Sequence, residues 1–419
     1  MKTRGLQNRR RWLVAMAVCL PLQMANAELT IPGISGVAGV AGSDGNFAPT
    51  ANVTLDLSLA KTANWDAASS GNGVYDPNKW AVVYKFNSVN IPAGKTVSFK
   101  NHPSGAPVVW LVTGNIDIAG VISLNGENGS HNLGRPTAPG PGGFSGGVGQ
   151  EYSGVIAGGG FGPGGANGND ADYGSYGTLG AGNVPGNIYG NGRVLPLIGG
   201  SGGGGQYRYA RSGGAGGGAL LVVTTGSLNL NGQITAYGGT YASGASLPES
   251  GSGSGGAVKI IADSVSGSGK ISCLSSNTSG GQGRIRIETN NFLGNVVTFP
   301  SVPILTPDDP LVLWPPAAAP SIRVVSVGAK NAPTDPRGSP QTAEIDFQLD
   351  NETSSIIVLE AKNVQSDASV KVRIVPVYGL PITHTATFSN GTTALSTWVV
   401  NNVNLPEGAF VVQAHAVNP

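Results

Sequence analysis

The sequence predicts an all-β protein: a right-handed parallel β-helix with a long Gly-rich insert, followed by an immunoglobulin-like β-sandwich. Three observations support this. An apolar run, a two-apolar strand, a glycine turn and a second two-apolar strand recur three times, with Gly120, Gly232 and Gly269 at the equivalent turn. The chain holds 67 glycines in 419 residues and only 11% charged residues, against about 7% and about 25% in an ordinary soluble protein, which argues against a helix bundle or a typical cytosolic enzyme. Residues 321–419 carry short alternating apolar runs with turn signals between them, as a sandwich of short strands requires.

Between the first two repeats the offset is 232 − 120 = 112; it carries Ile116 onto Leu228, Ile118 onto Leu230, Ile122 onto Ile234 and Leu124 onto Ala236. Between the second and third it is 269 − 232 = 37, carrying Leu221 onto Val258, Val223 onto Ile260, Leu228 onto Val265, Ile234 onto Ile271 and Ala236 onto Cys273. Alternation within each strand has period two, so one face is apolar. A two-residue hairpin at Asn231-Gly232 is the rival. It would set Leu230 against Gln233 and Leu228 against Thr235, mixing polar and apolar residues on both faces. A bend that carries the strand onto the next face of a coil keeps Leu228, Leu230, Ile234 and Ala236 inside. Each coil then buries its apolar face by stacking on its neighbours.

Residues 1–27 read as a signal peptide, with basic Lys2, Arg4 and Arg9 to Arg11, an apolar stretch from Trp12 to Leu22, and Ala25-Asn26-Ala27 before the expected cleavage. The run Arg9-Arg10-Arg11-Trp12-Leu13 fits a Sec or a twin-arginine signal. The expectation is export, to the periplasm, the cell surface or the medium. Removing the leader takes five of 24 basic residues and none of 23 acidic ones, leaving 19 against 23, a net charge of −4. Such a balance offers nothing to nucleic acid. No later stretch reaches the roughly 18 apolar residues of a membrane span. Cys273 remains as the one cysteine, so an internal disulfide is excluded, and its alignment with Ala236 makes it a packing residue.

The β-helix is expected over 28–299, with a lead-in over 28–80 that caps the first coil, coils over 80–299 and the insert over 127–218. From Gly126 to Gly218, 35 of 93 residues are glycine, with Phe144, Phe161 and six tyrosines between them. Two readings stand: a mobile low-complexity flap, or a packed array of extended glycine helices of the polyproline II type with aromatics on its surface. Residues 300–320 hold seven prolines and read as a stiff linker. Seven alternating runs follow: Ile322 to Val327, Ala343 to Leu349, Ile356 to Ala361, Val370 to Val377, Ile382 to Phe388, Ala394 to Val400 and Ala409 to Val417.

Stacking turns outward residues into columns, which test for catalysis. Polysaccharide hydrolysis needs two carboxylates facing one bond, and lyase chemistry a base beside a cation. The columns read Asp117, Asn229, Ser266; Ser123, Thr235, Ser272; and Trp110, Val222, Lys259, Arg286. None holds two acids, and Lys259, Arg286 and Glu288 read as surface charge. His102, His131, His384 and His415 stand far apart, outside any zinc spacing. The Gly runs lack the Gly-Lys-Ser/Thr ending of a phosphate loop. No catalytic, metal or cofactor residue is assigned.

Gly168-Asn169-Asp170-Ala171-Asp172-Tyr173-Gly174 is similar to one calcium-binding RTX nonapeptide, but Asp172 takes its apolar position and no second copy follows. The end of the chain, with Trp398, Leu405-Pro406-Glu407-Gly408 and alternating Phe410, Val412, Ala414 and Ala416, resembles a fibronectin type III domain. Residues 80–290, with Ile91-Pro92-Ala93-Gly94, the Gly114 to Gly126 coil, the Gly-rich block and the returning coils, resemble secreted bacterial Gly-rich β-helix proteins of the pectate lyase-like kind. Phage-type adhesins that display glycine helices are a looser analogy for the insert. The resemblance implies export and a surface or matrix role and transfers no functional residue. The expected function is non-enzymatic, structural or adhesive, with surface polysaccharide or cell-envelope components as partners. Tyr173, Tyr176, Tyr207 and Tyr209 are the candidate ligand-binding residues, because clustered aromatic faces stack on sugars with little entropy loss; the bland alternative is that they pack the glycine block. A polysaccharide-degrading β-helix enzyme and an extracellular filament subunit that self-associates through its open ends are the alternatives.

Overall fold

The computed structural model describes residues 42–419 apart from 132–133, 151–155, 169–171, 208–209, 243–249, 309–310, 338–345, 347, 350–354 and 418–419; the leader lies outside the described residues. The fold is all-β, with no α-helix among the described residues and a single 3-10 turn at Leu57–Leu59.

Between Asn46 and Leu305 the strands form two sheets built from stacked parallel rungs, apart from one antiparallel pairing of Val74–Asp76 with Ala81–Phe86. In the six-stranded sheet, Val53–Asp56, Thr96–Lys100, Val121–Ser123, Gln233–Thr235, Lys270–Ser272 and Val297–Phe299 lie side by side in that order. In the larger sheet the long strand Ala219–Leu230 runs parallel to Val108–Val112 and Ile116–Ile118 on one side. On its other side lies Ala257–Ser266, followed by Arg284–Phe292. The register sets Leu230 against Ile118 and Ile234 against both Ile122 and Ile271, and all of these side chains are buried. Trp110 from one sheet meets Phe99 from the other at 6.3 Å between ring centroids, so the two sheets share one core.

Three details differ from expectation. The lead-in does more than cap, since Asn46–Phe47 pairs with Ser88–Ile91 and Val53–Asp56 with Thr96–Lys100, making it the first rung. The 37-residue offset holds from Ser227 onward, where Ser227 meets Ser264, but upstream of a register shift between Thr224 and Ser227 Leu220 meets Val258 and Val222 meets Ile260. The irregularity places one extra residue in the longer strand. The column assigned to Trp110, Val222, Lys259 and Arg286 therefore splits. Trp110, Val222, Ile260 and Ile287 share one position, while Lys259 and Arg286 align with Val109 and Leu221 on the opposite face. That opposite face is covered rather than wet, because the proline-rich segment folds back across it and buries Leu311 and Leu313 in the same core. Lys259 and Glu288 are accordingly 2% and 1% exposed, not surface charges.

Residues 321–417 form a curled antiparallel sheet with its own core around Ile357, Leu359, Val372, Ile374 and Trp398. Six of the seven expected runs are strands; of the seventh, 343–349, residues 346, 348 and 349 are described and none lies in a strand. Strand Ile382–Thr392 turns the corner, since its first half pairs with Ser369–Pro376 and its second half with Leu395–Val403.

Candidate functional site

The glycine-rich insert is packed, and its hydrogen bonds reveal how. Along residues 199–206, Gly200, Gly203 and Gln206 donate to Gly217, Gly214 and Arg211, while Gly199, Gly202 and Gly205 donate to Gly142, Phe161 and Gly158. Gly204 donates to Asp172, and Ser201 N–H to Ser254 Oγ. The neighbour repeats every third residue. A strand would repeat every second, an α-helix every 3.6, and both are excluded by this spacing; a three-residue repeat with bonds only to other segments is the polyproline II helix. Residues 212–219 obey the same rule, with Ser212, Ala215 and Gly218 donating to Ser130, Glu127 and Leu124, and Gly213, Gly216 and Ala219 to Gly147, Phe144 and Pro141. Only glycine permits this spacing. A Cβ on Gly216 would lie 1.9 Å from Gly200 O, and one on Gly202 1.9 Å from Ser145 O. The extended glycine helices of the array reading are present and meet main chain to main chain, but the aromatics do not line the surface: Phe144, Phe161, Tyr176 and Tyr189 are buried.

The bonds also orient the array. Leu124, Pro141 and Gly218 lie where it leaves the parallel sheets, and Ser130, Gly147 and Arg211 lie at its far end, roughly 20 Å away at about 3.1 Å per residue. The chain reverses at that far end between Ser130 and Thr137, between Gly147 and Gly158, between Gln206 and Arg211, and between Tyr241 and Ser250.

The four tyrosines separate on this frame. Tyr176 is fully buried near the sheets, where its hydroxyl donates to Ile198 O at 2.8 Å and its ring stacks on Tyr189 at 4.4 Å. Arg284 packs over the Tyr176 ring at 5.4 Å and donates to Tyr189 O at 2.7 Å, and burial raises both phenols well above their ordinary range. Tyr176 presents no face to a ligand and is a packing residue, as the bland alternative has it. Tyr173 is 7% exposed and meets Tyr241 edge to face at 6.5 Å, on the segment whose Asp172 O accepts from Gly204. Tyr207 is half-buried at the reversal between Gln206 and Arg211. Tyr209 lies outside the described residues.

Two further groups fix neighbouring parts. Arg373, on strand Ser369–Pro376, reaches into the turn at 160–166 and donates to the carbonyls of Gly160, Gly162, Gly165 and Ala166 at 3.0, 3.4, 3.0 and 3.2 Å. Burial lowers this guanidinium to about 10. Beside it Val375 is buried in the core of the parallel stack. On the covered face of the larger sheet, Glu288 Oε1 takes Arg286 Nε and lies 3.3 Å from Lys259 Nζ, which also reaches Val312 O at 3.4 Å. Burial pulls the Lys259 ammonium down, offset in part by Glu288. A buried pair of this kind is costly unless every charge is matched, so the triad pins the folded-back segment more than it adds stability.

His102, just after strand Thr96–Lys100, is buried. His102 stacks on Tyr75 at 4.0 Å, its Nδ1 lies 2.8 Å from Ser104 Oγ, and Tyr75 donates to Asp335 at 2.6 Å. Burial lowers the imidazole to about 4, so it is neutral near pH 7. The serine is two residues along the same turn and both its N–H and Oγ engage Nδ1, which is a local turn contact and lacks the separate orienting acid of a nucleophilic site. In the outward columns Asn229 Nδ2 donates to Asp117 at 3.2 Å and Thr54 Oγ1 lies 2.8 Å from Ser98 Oγ, the polar bonding of a solvated face, whereas Thr235 and Ser272 of the hydroxyl column are buried rather than outward and wet. Asp172, in the RTX-like stretch, is buried and accepts from Val184 N–H at 2.9 Å. Among the described residues no group of three His, Cys, Asp or Glu is placed to hold a metal.

Arg373, Tyr189 and Arg284 escaped the sequence reading. The signal for Arg373 was the run Ile374-Val375, which breaks the alternation and marks a strand covered on both faces. No protein-family model, curated protein or solved structure matches the chain.

Proposed function

We propose that the chain is an exported, non-enzymatic structural or adhesive protein that binds surface polysaccharide at the far end of its glycine array. In this reading the stacked rungs over 80–299 are a right-handed parallel β-helix, the array over 127–218 is its insert, residues 300–320 join the domains, and 321–419 form an immunoglobulin-like sandwich. The observation that supports it best is the construction of the array: a main-chain core that has no freedom to repack, with several reversals collected at one end, Tyr207 among them and Tyr173 and Tyr241 packed close by. A rigid platform spares a ligand the ordering cost that a loop would impose, and tyrosine faces suit sugars.

Incubating the purified chain with a panel of surface polysaccharides, while measuring retention and newly released sugar ends together, tests this. Retention without release is expected. Release of ends would replace the adhesive reading with a lyase or hydrolase, and absence of retention on every polysaccharide would remove the ligand.

A further inference from the structure

Lys259, Arg286 and Glu288 meet on the covered face of the larger sheet. Lys259 and Arg286 hold the same register position on strands Ala257–Ser266 and Arg284–Phe292, and Glu288 lies one step along that face, opposite Ile261. Leu221 and Val223 of the preceding rung, Ile261, and Leu311 and Leu313 of the folded-back segment are all buried. The three polar groups therefore sit among apolar side chains.

Their atoms do not balance as an ion pair. Glu288 Oε1 takes both cations, Arg286 Nε and, at 3.3 Å, Lys259 Nζ, while Glu288 Oε2 is buried without a hydrogen-bond partner. An ionised carboxylate spreads its charge over both oxygens, so leaving one of them bare forfeits much of what the pairing returns. The three N–H donors of the ammonium meet only Glu288 and, at 3.4 Å, the Val312 carbonyl.

We propose that Lys259 and Glu288 condense into an intramolecular amide between Nζ and Cδ, a covalent link across the last two long strands. The oxygen that leaves is the unpartnered one. Nζ keeps a single N–H, which faces Val312 O, and Oε1 becomes the amide carbonyl and keeps its Arg286 donor. Arg286 is 13% exposed and lies within 3.4 Å of Gly192 O, so its charge stays at the margin of the cluster. Each polar atom left on the linked pair has a match, and two buried charges have disappeared.

The step needs no co-reactant. Within the contact pair a proton passes from Nζ to Oε2, giving the neutral amine and acid that a dry site favours; burial already pulls the Lys259 ammonium in that direction. The Nζ lone pair adds to Cδ and the carbonyl electron pair moves onto Oε1, where the Arg286 N–H faces the developing charge. As the carbonyl re-forms, the Cδ–Oε2 bond breaks, and Oε2 departs as water with the proton it gained and a second one from Nζ. Groups held in contact react as one molecule, and a site closed to solvent resists the return of water. The link uses no residue of the glycine array and stands whether or not a glycan binds there.

Tryptic digestion of the denatured chain, read by tandem mass spectrometry, tests the bond. An amide on Lys259 blocks cleavage after it. The peptide that ends at Lys270 and the peptide that carries Glu288 are therefore expected as one branched species, lighter than their sum by a single water. Lys259→Arg keeps the positive charge but forms no such amide, so it should release the two peptides separately at full mass, with cleavage restored after position 259. Cleavage after Lys259 in the wild-type chain, with the Glu288 peptide recovered at its full sequence mass, would overturn the proposal, as would a branched species that survives Lys259→Arg.

Discussion

Replacing Gly216 with alanine puts a methyl carbon 1.9 Å from Gly200 O and 2.2 Å from Gly200 C, where 3.4 Å is the near limit of ordinary contact. The two segments must part by about 1.5 Å, and nothing flexible stands between them, because both sides are main chain. The bonds Gly200 N–H to Gly217 O and Gly216 N–H to Phe144 O are each 2.8 Å, so a shift of that size breaks at least one. Overpacking costs about 1–3 kcal/mol and the lost bond about 1 kcal/mol, while alanine returns about 0.4–1 kcal/mol through the unfolded chain. The net loss is about 1–4 kcal/mol, or a fall of about 1–4 °C in Tm at the unfolding entropy of a chain of this size. Gly192 is the matched control, since it is exposed and a Cβ there meets nothing within 4 Å; Gly192→Ala should leave Tm unchanged or raise it slightly. Differential scanning calorimetry of the two variants decides the matter. A Gly216→Ala melt superimposable on wild type would refute the main-chain core, whatever Gly192→Ala does.

Arg373→Ala leaves the carbonyls of Gly160 and Gly165 without a donor, while those of Gly162 and Ala166 keep the N–H groups of Gly165 and Gly160, and should cost about 2–4 kcal/mol, read as faster hydrogen exchange across 157–166 with the antiparallel sheet itself still protected; unchanged exchange would mean the clamp is idle. Burial holds His102 at about 4, against 6.5 when unfolded. The unfolded state therefore binds the extra proton first, so stability is full above pH 6.5 and falls as pH drops towards 4. His415, also lowered to about 4 by burial, adds in the same direction. Urea midpoints at pH 7 and pH 4.5 should differ, and His102→Gln should reduce the difference; an identical gap in that variant rules His102 out. On a polysaccharide that the protein retains, Tyr207→Ala should lower retention several-fold. Tyr176→Phe, which removes the bond to Ile198 O, should lose about 1 kcal/mol of stability and no retention. The reverse ranking would return the ligand to the buried pair.

The parallel rungs were legible because the sequence marks them twice, by alternation and by a glycine at each bend, and Ile122, Ile234 and Ile271 fall into register as their spacing requires. The register shift was not, since Thr224-Thr225-Gly226-Ser227 offers no apolar marker by which an extra residue would show. Burial of Lys259 had a trace in the sequence: Ala257 to Ala262 is apolar on both faces except for that lysine, the composition of a strand covered on both sides. Reading the lysine as solvated overlooked its neighbours. The order of the insert had no such trace. An array with a period of three and a core of main chain carries no amphipathic pattern, and glycine composition describes a flexible tether equally well. The tyrosines divided for the same reason, because their depth depends on which glycine segments meet.

The rungs that flank the array are 112 residues apart in the chain, whereas the last two long strands are only 27 apart. Loop-closure entropy grows with the logarithm of length, so the long detour costs only about 1.3 kcal/mol more than the short one. The difference falls on kinetics, since distant pairings form late. Strands Ala219–Leu230, Ala257–Ser266 and Arg284–Phe292 can therefore zip into a nucleus first, with Val108–Val112 joining once the intervening helices have condensed and drawn its edge alongside.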